Sequence, residues 1–502
     1  MPDAIQQRAV NDLDRPISRN DSAQASATSA AGEAAGEASD EDDFRAAIAR
    51  MRDAACARAR PAVKDGAAPI RVMARMVNDL IAEARAAGIP EPIIASEVVN
   101  RTIGDIDIRR ISATDDGPRY PSLADDLGLA LPGEVIDGYV AKGRTYRWIQ
   151  RRMQAIEREL LAEHVDLRIY DLSGIGALRL REALAGHAQR AWGVSFPPQQ
   201  IHGSLGSTDG LARLWQGLVA TWRCQGAREF AAFFPTPGFN VPEWQAVNLG
   251  VRSIAIRTCA EDHFKGTPKA LARALDAAPD ARAIYLTISN NPTAFAYTPD
   301  EIRALYRMLD ARGSDLLVVA DLAYIGTGDP AADRARMQAL TEPNARARSA
   351  YAFTFSKSHT LTGDRFGWIA LGTPELAQTV MVGWSNTAAS LPADWQLRYM
   401  AMIELFARRP RVEARLRALY RLRRARLIRQ LQKLSAERPA PIFAEISMDD
   451  GGTIYNWSQL APGEDVFSLF SMTGIAGVPG SAFGYSDDYV RLSVGCIPIP
   501  EV

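Results

Sequence analysis

The feature that most restricts the fold of this chain is an alternation in its middle section. Short apolar runs, EFAAFF, AIYLTIS, LLVVA and YAFTF, are separated by the helical patterns TPKALARALDAA and TPDEIRALYRMLDARG, each opening on a threonine cap. Runs that are apolar at every position suit strands covered on both faces, and strand–helix–strand repetition joins parallel neighbours. The expected class is therefore α/β: a large domain with a mostly parallel central sheet and helices on both faces, plus a small α+β C-terminal domain. Ligands of such sheets bind beyond the carboxyl ends of the strands. The residues just past those ends are Phe239, Asn291, Asp321 with Tyr324, and Lys357. Taken singly, each has a plainer reading, the polar ones as turn residues and the aromatics as core.

The stretch FTFSKSHTLTGDRFG, from Phe353 to Gly367, presents Lys357 and Arg365 together after a strand. A lysine beside another cation is driven towards its neutral, nucleophilic form, which makes Schiff bases with carbonyl compounds. An arginine fork suits phosphate. A ligand carrying both an aldehyde and a phosphate is pyridoxal phosphate, although a Lys and an Arg in a loop are usually just solvated. Upstream, IHGSLGSTDGLARLWQ runs a Gly-Ser-Thr loop into an apolar-periodic helix. Gly206, Ser207 and Thr208 then lie at a helix N-terminus, which favours an anion; an ordinary N-cap is the plainer alternative. Around a pyridoxal ring, Asp321 is suited to keep the pyridine nitrogen protonated, Asn291 and Tyr324 to donate to the phenolic oxygen, and Phe239 to stack. Arg491, inside the apolar strand YVRLSV, needs a partner, either a substrate carboxylate or an internal salt bridge.

Composition narrows the remaining classes. The chain has 502 residues and a net charge of −1, which argues against a nucleic-acid or membrane-surface partner. Its four cysteines and five histidines show no metal-ligand spacing, so no metal is expected, and a reducing, cytoplasmic setting is the simple inference. No apolar run approaches the roughly 18 residues of a membrane span. Residues 1–43 are acidic and Ala-rich and read as a disordered tail, 44–165 as an N-terminal helical extension and arm belonging to the small domain, 166–392 as the large domain, 393–437 as one long interdomain helix, and 438–502 as the small C-terminal domain.

Taken in order, GST at Gly206 to Thr208, PGF at Pro237 to Phe239, NNPT at Asn290 to Thr293, DLAY at Asp321 to Tyr324, FSK with the downstream Arg365, VPGSAFG at Val478 to Gly484 and YVRLS at Tyr489 to Ser493 resemble the class I/II aminotransferases, fold type I pyridoxal-phosphate enzymes. The resemblance covers roughly residues 165 to 497. It implies that Lys357 holds the cofactor as an aldimine and moves the substrate α-proton, with Asp321 and Tyr324 as its catalytic companions. It also implies that Ser207, Thr208, Thr354 and Arg365 hold the phosphate, that Arg491 and Asn291 hold the substrate, and that Tyr170 reaches the phosphate of a neighbouring subunit in a homodimer. The implied activity is transfer of an amino group between an L-amino acid and a 2-oxo acid in amino-acid metabolism. The alternative is a lyase, decarboxylase or oxidase using the same machinery. Ala294 stands where the family has glycine, Asp209 departs from the usual phosphate loop, and Met381 with Trp384 suggest an apolar or aromatic substrate side chain.

Overall fold

The structure is a computed structural model that describes residues 30–104, 144–163, 167–168, 173–387, 390–448 and 454–494. Strands β1 (Val99–Asn100) and β2 (Ile201–Leu205) precede β3 (Ala231–Thr236), β4 (Arg252–Arg257), β5 (Ala281–Thr287), β6 (Leu317–Asp321), β7 (Ser349–Thr354) and β8 (Phe366–Leu371). Towards the C-terminus lie β9 (Phe443–Glu445), β10 (Tyr455–Leu460), β11 (Ile475–Ala476), β12 (Val478–Pro479) and β13 (Tyr489–Ser493). Strands β2 to β8 form one seven-stranded sheet in the order β2-β8-β7-β6-β5-β3-β4. Its pairings are parallel except those of β8, which opposes both β2 and β7.

The period of two along these strands sends alternate residues to opposite cores. Phe233, Ile284, Val318, Tyr351 and Phe353 face one core, whereas Phe234, Tyr285, Val319, Ala350 and Ala352 face the other. Both faces are buried, which is why the strands read as unbroken apolar runs. The helix Ser207–Cys224 covers the second face with Leu214, Trp215 and Leu218.

A smaller antiparallel sheet, β12-β13-β10-β9, carries Arg491 in β13 opposite Trp457 of β10 and Val478 of β12. The N-terminal helices pack onto this C-terminal unit: Cys56 Sγ donates to the Phe467 carbonyl at 3.4 Å, and Arg60 pairs with Asp465. Strand β1 pairs in parallel with β11. The Arg101 amide then donates to the Ala476 carbonyl at 2.9 Å, and the Ser493 amide donates to the Arg101 carbonyl at 2.8 Å. Residues 99–104 are thereby drawn across the small sheet to its border with the large one.

Two segment boundaries differ from the sequence reading. The first helix starts at Ala30 and runs to Lys64, inside the stretch that composition assigns to a tail through residue 43. The alanines that deplete this stretch of bulky residues are themselves the strongest helix formers. The long interdomain helix expected over 393–437 is two helices, Ala393–Arg408 and Pro410–Ala436, with Arg409 outside helical backbone at φ −133°, ψ 59° between them. Pro410 has no N–H to continue the first helix, and it sits at the opening of the second, where that N–H is not needed.

Candidate active site

One half of the site is built by the large sheet. Strand β2 ends at Gly206, whose φ of +83° turns the chain into the helix Ser207–Cys224. No side chain caps that helix, so the first-turn amides beside Ser207 and Thr208 face outward with the positive end of the dipole. A Cβ on Gly206 would come within 2.5 Å of Arg365 Nη2, so the glycine is what lets a guanidinium lie against this helix start. Arg365 itself has φ +57° and donates to the Thr362 carbonyl at 3.0 Å. The Asp209 carboxylate turns inward, accepting from the Leu205 amide and from Arg213 Nε, each at 2.9 Å. Thr354, at the end of β7, bonds Ser356 Oγ at 2.9 Å and donates to the Phe366 carbonyl at 2.9 Å.

Asp321 closes β6 and is buried. Burial raises its pKa, while the Tyr285 hydroxyl and the Ala323 amide, which both donate to it, pull the other way. Burial, followed by the charge of Asp321, pushes the Tyr285 phenol well up. A buried carboxylate of this kind calls for a cation. Asn291, also buried, opens a cis bond to Pro292 in the turn after β5. Phe239 lies in the half-buried loop after β3, whose neighbours Gly238 and Asn240 donate to the carbonyls of Phe483 and Ala482 at 3.2 and 2.9 Å. Ala294 adopts φ +67°, the left-handed backbone that explains glycine in relatives.

The other half comes from the small sheet and from residues 99–104. Arg491 is 3 % exposed and has no carboxylate partner among the described residues, so the internal salt bridge is not made there. Its Nη1 donates to Asn291 Oδ1 at 3.0 Å and its Nη2 to the Thr102 carbonyl at 2.7 Å. Its guanidinium lies 4.3 Å from the Tyr455 ring centre and 4.9 Å from that of Phe483. The Tyr324 hydroxyl donates to the Tyr455 hydroxyl at 3.2 Å, and Lys357 Nζ donates to the Gly104 carbonyl. A Cβ on Gly104 would collide with the Tyr455 hydroxyl. Sequence reasoning missed Thr102, Gly104, Tyr285, Tyr455 and Phe483. Gly104 falls in a stretch whose Pro, Gly and Asp content reads as loop, and Tyr455 looks like one more strand aromatic.

The loop of Lys357 is held from behind by the helix Pro410–Ala436. Tyr420 donates to the Lys357 carbonyl at 2.9 Å. His359 bridges Ser358 Oγ at 2.7 Å and Glu413 Oε1 at 2.9 Å. Burial alone would raise the Glu413 pKa, but the His359 hydrogen bond and nearby positive charge outweigh it and hold the carboxyl at about 2. A cavity of about 200 Å³ opens beside this clamp, lined by His187, Trp192, Asp333, His359 and Glu413; Lys357, Asp321 and Arg491 are not among its lining residues.

Met381 and Trp384 are not at the site. Trp384 is fully buried in the core under the second sheet face, donating to the Gly203 carbonyl at 2.8 Å, and Met381 packs against the same core. The expectation of an apolar or aromatic substrate therefore loses its basis. Tyr170 lies outside the described residues.

The family profile described as aminotransferase class I and II matches residues 146–499. The chain is 26 % identical over 328 residues to a valine–pyruvate aminotransferase of Mycobacterium tuberculosis, covering 64 % of this chain and 77 % of that protein. It is 25 % identical over 392 residues to an aspartate aminotransferase of Bacillus subtilis, covering 77 % and 93 %. In fold it is similar to a solved aminotransferase of Mycobacterium tuberculosis (TM-score 0.61, 21 % identity, 86 % of this chain and 94 % of that one). It is likewise similar to the aspartate aminotransferase of Thermus thermophilus solved with maleate (TM-score 0.59, 21 % identity, 84 % and 91 %). Strand-end residues, an uncapped helix start beside an arginine, and a profile spanning most of the chain agree: this chain belongs to the class I and II aminotransferase family.

Proposed function

We propose that the protein is a pyridoxal-phosphate-dependent aminotransferase, transferring an amino group between an L-amino acid and a 2-oxo acid. The observation that carries this is Arg491: a nearly fully buried cation with neutral hydrogen-bond partners and no carboxylate among the described residues, held against Asn291 and over the Tyr455 ring. Leaving a buried charge unpaired costs several kcal/mol, which a substrate carboxylate would offset.

The donor set fits the cofactor. Ser207, Thr208, Thr354, Arg365 and the open helix start suit its phosphate, the buried Asp321 its ring nitrogen, Asn291 and Tyr324 its phenolic oxygen, and Phe239 its ring face. When bound, the cofactor supplies an electron sink for the pair left at the substrate α-carbon. The chain's own residues do the rest. Arg491 would orient the substrate carboxylate, Asp321 would keep a proton on the ring nitrogen, and Lys357 Nζ would take the α-proton and return it two atoms away, on the far side of the intervening nitrogen. The Gly104 carbonyl, against Lys357 Nζ here, marks where the amine is received.

We infer a homodimer from the family resemblance, and a reducing, cytoplasmic setting from Cys56, Cys224 and Cys259, all free thiols. The test is an absorption spectrum of the cofactor-loaded protein against acidic, aromatic and branched-chain amino acids, the classes named by the relatives. A band lost in Lys357→Ala and converted by some amino acids to a stable aminated form supports transfer. A band that returns while ammonia, carbon dioxide or peroxide accumulates would assign the site to lyase, decarboxylase or oxidase chemistry instead.

A further inference from the structure

Tyr455 sits where the two halves of the site touch. It is 2 % exposed, on β10, with its ring under the Arg491 guanidinium and its hydroxyl 3.2 Å from that of Tyr324. The same hydroxyl faces Gly104, where only a residue without a Cβ fits, and the Gly104 carbonyl receives Lys357 Nζ. A phenylalanine would fill the same apolar place in β10 and offer Arg491 the same ring. The hydroxyl is therefore the part of this side chain that packing does not explain.

We propose that Tyr455 is a positioning residue that acts through Tyr324. This rests on the reading of the site given above. In the structure Tyr324 donates to Tyr455. Hydroxyl hydrogens rotate, so a phenolic oxygen brought against Tyr324 draws the Tyr324 proton to itself, and the Tyr455 hydroxyl becomes the donor to Tyr324. A hydroxyl that accepts one hydrogen bond donates a stronger one. The strengthened donation drains negative charge from the phenolic oxygen. That charge is what retains the proton on the neighbouring nitrogen that links Lys357 to the cofactor. Tyr455 thus lowers the pH at which the linkage loses its proton, keeping Lys357 ready for exchange with a substrate amine.

The measurement is a pH titration of the absorption band of the full chain loaded with pyridoxal phosphate, with Lys357→Ala identifying the band. Tyr455→Phe is expected to raise the midpoint by about half a pH unit, about threefold in proton affinity, the size of one weakened link in a hydrogen-bond chain. Tyr324→Phe should raise it further, and the double variant should match Tyr324→Phe alone if Tyr455 acts through the Tyr324 hydroxyl. An unmoved midpoint in Tyr455→Phe, or the same shift with and without Tyr324, overturns the proposal while leaving the cofactor site standing. If the wild-type protein has no Lys357-dependent band, the site reading fails and takes this proposal with it.

Discussion

The two halves of this site, the one proposed to hold the cofactor and the one proposed to hold the substrate, are built by different means. Gly206, Asp321, Thr354, Lys357 and Arg365 lie at the ends of neighbouring strands of one sheet, or in the turns leaving them, so each is placed by its own strand. Tyr455 and Arg491 are brought together by the pairing of β10 with β13, and Thr102 and Gly104, from the other end of the chain, reach them because β1 pairs with β11 and Ser493 bonds to Arg101. The first half depends on local geometry and the second on long-range register. Family motifs fall in both halves, since YVRLS carries Arg491, but Thr102, Gly104 and Tyr455 in the latter lie outside them.

That division can be broken by kinetics. Asp321→Asn should lower kcat by about 10³-fold with little change in KM, because it removes charge stabilisation needed only as the reaction proceeds. A change confined to KM would erase the distinction. Arg491→Lys keeps the charge but loses the fork held by Asn291 and Thr102. It should raise KM for the amino acid by about 100-fold and leave cofactor affinity within about twofold, checked by steady-state kinetics and cofactor titration.

The smallest effect belongs to a residue in neither half. His202 is fully buried in β2 beside Trp384, with no hydrogen-bond partner for either ring nitrogen among the described residues, and burial lowers its pKa to about 3. The unfolded chain takes up a proton near the ordinary histidine value of 6.5 while the folded chain does not, so stability is full above that pH and falls as pH drops towards 3. The slope is about 1.4 kcal/mol per pH unit for this residue. His202→Phe should remove it, narrowing the gap in urea-unfolding free energy between pH 7 and pH 5 by about 2 kcal/mol with kcat and KM unchanged. The buried His187, also held at about 3 by burial, keeps its share of the slope in both proteins.

What the sequence disclosed follows the same line. The central strands β3, β5, β6 and β7 are legible because burial on both faces leaves no polar interruption, and the residues beyond them come with the strands. Edge strand β4, RSIAIR, is less apolar and exposes both its arginines, while β2, IHGSL, carries a glycine and a histidine in so few residues that neither period shows. Met381 and Trp384 were misplaced because apolar character alone does not say which side of a sheet a side chain serves. The Pro410 break was visible as a residue, but helical spacing on either side reads through it. Gly104 and Tyr455 had no local signal, since each acquires meaning only from the other.

The bond from Ser493 to Arg101 also orders events in time. Every large-sheet residue proposed to hold the cofactor precedes Gly367, whereas Arg491, proposed to bind the substrate carboxylate, lies in β13, the last described strand, and waits for a partner from the beginning of the chain. During synthesis the large sheet is complete while more than a hundred residues are still to be added, and the long loop from Arg101 to Ser493 can close only after them. On the proposed roles, the nascent protein thus gains its means of chemistry before its means of holding a substrate.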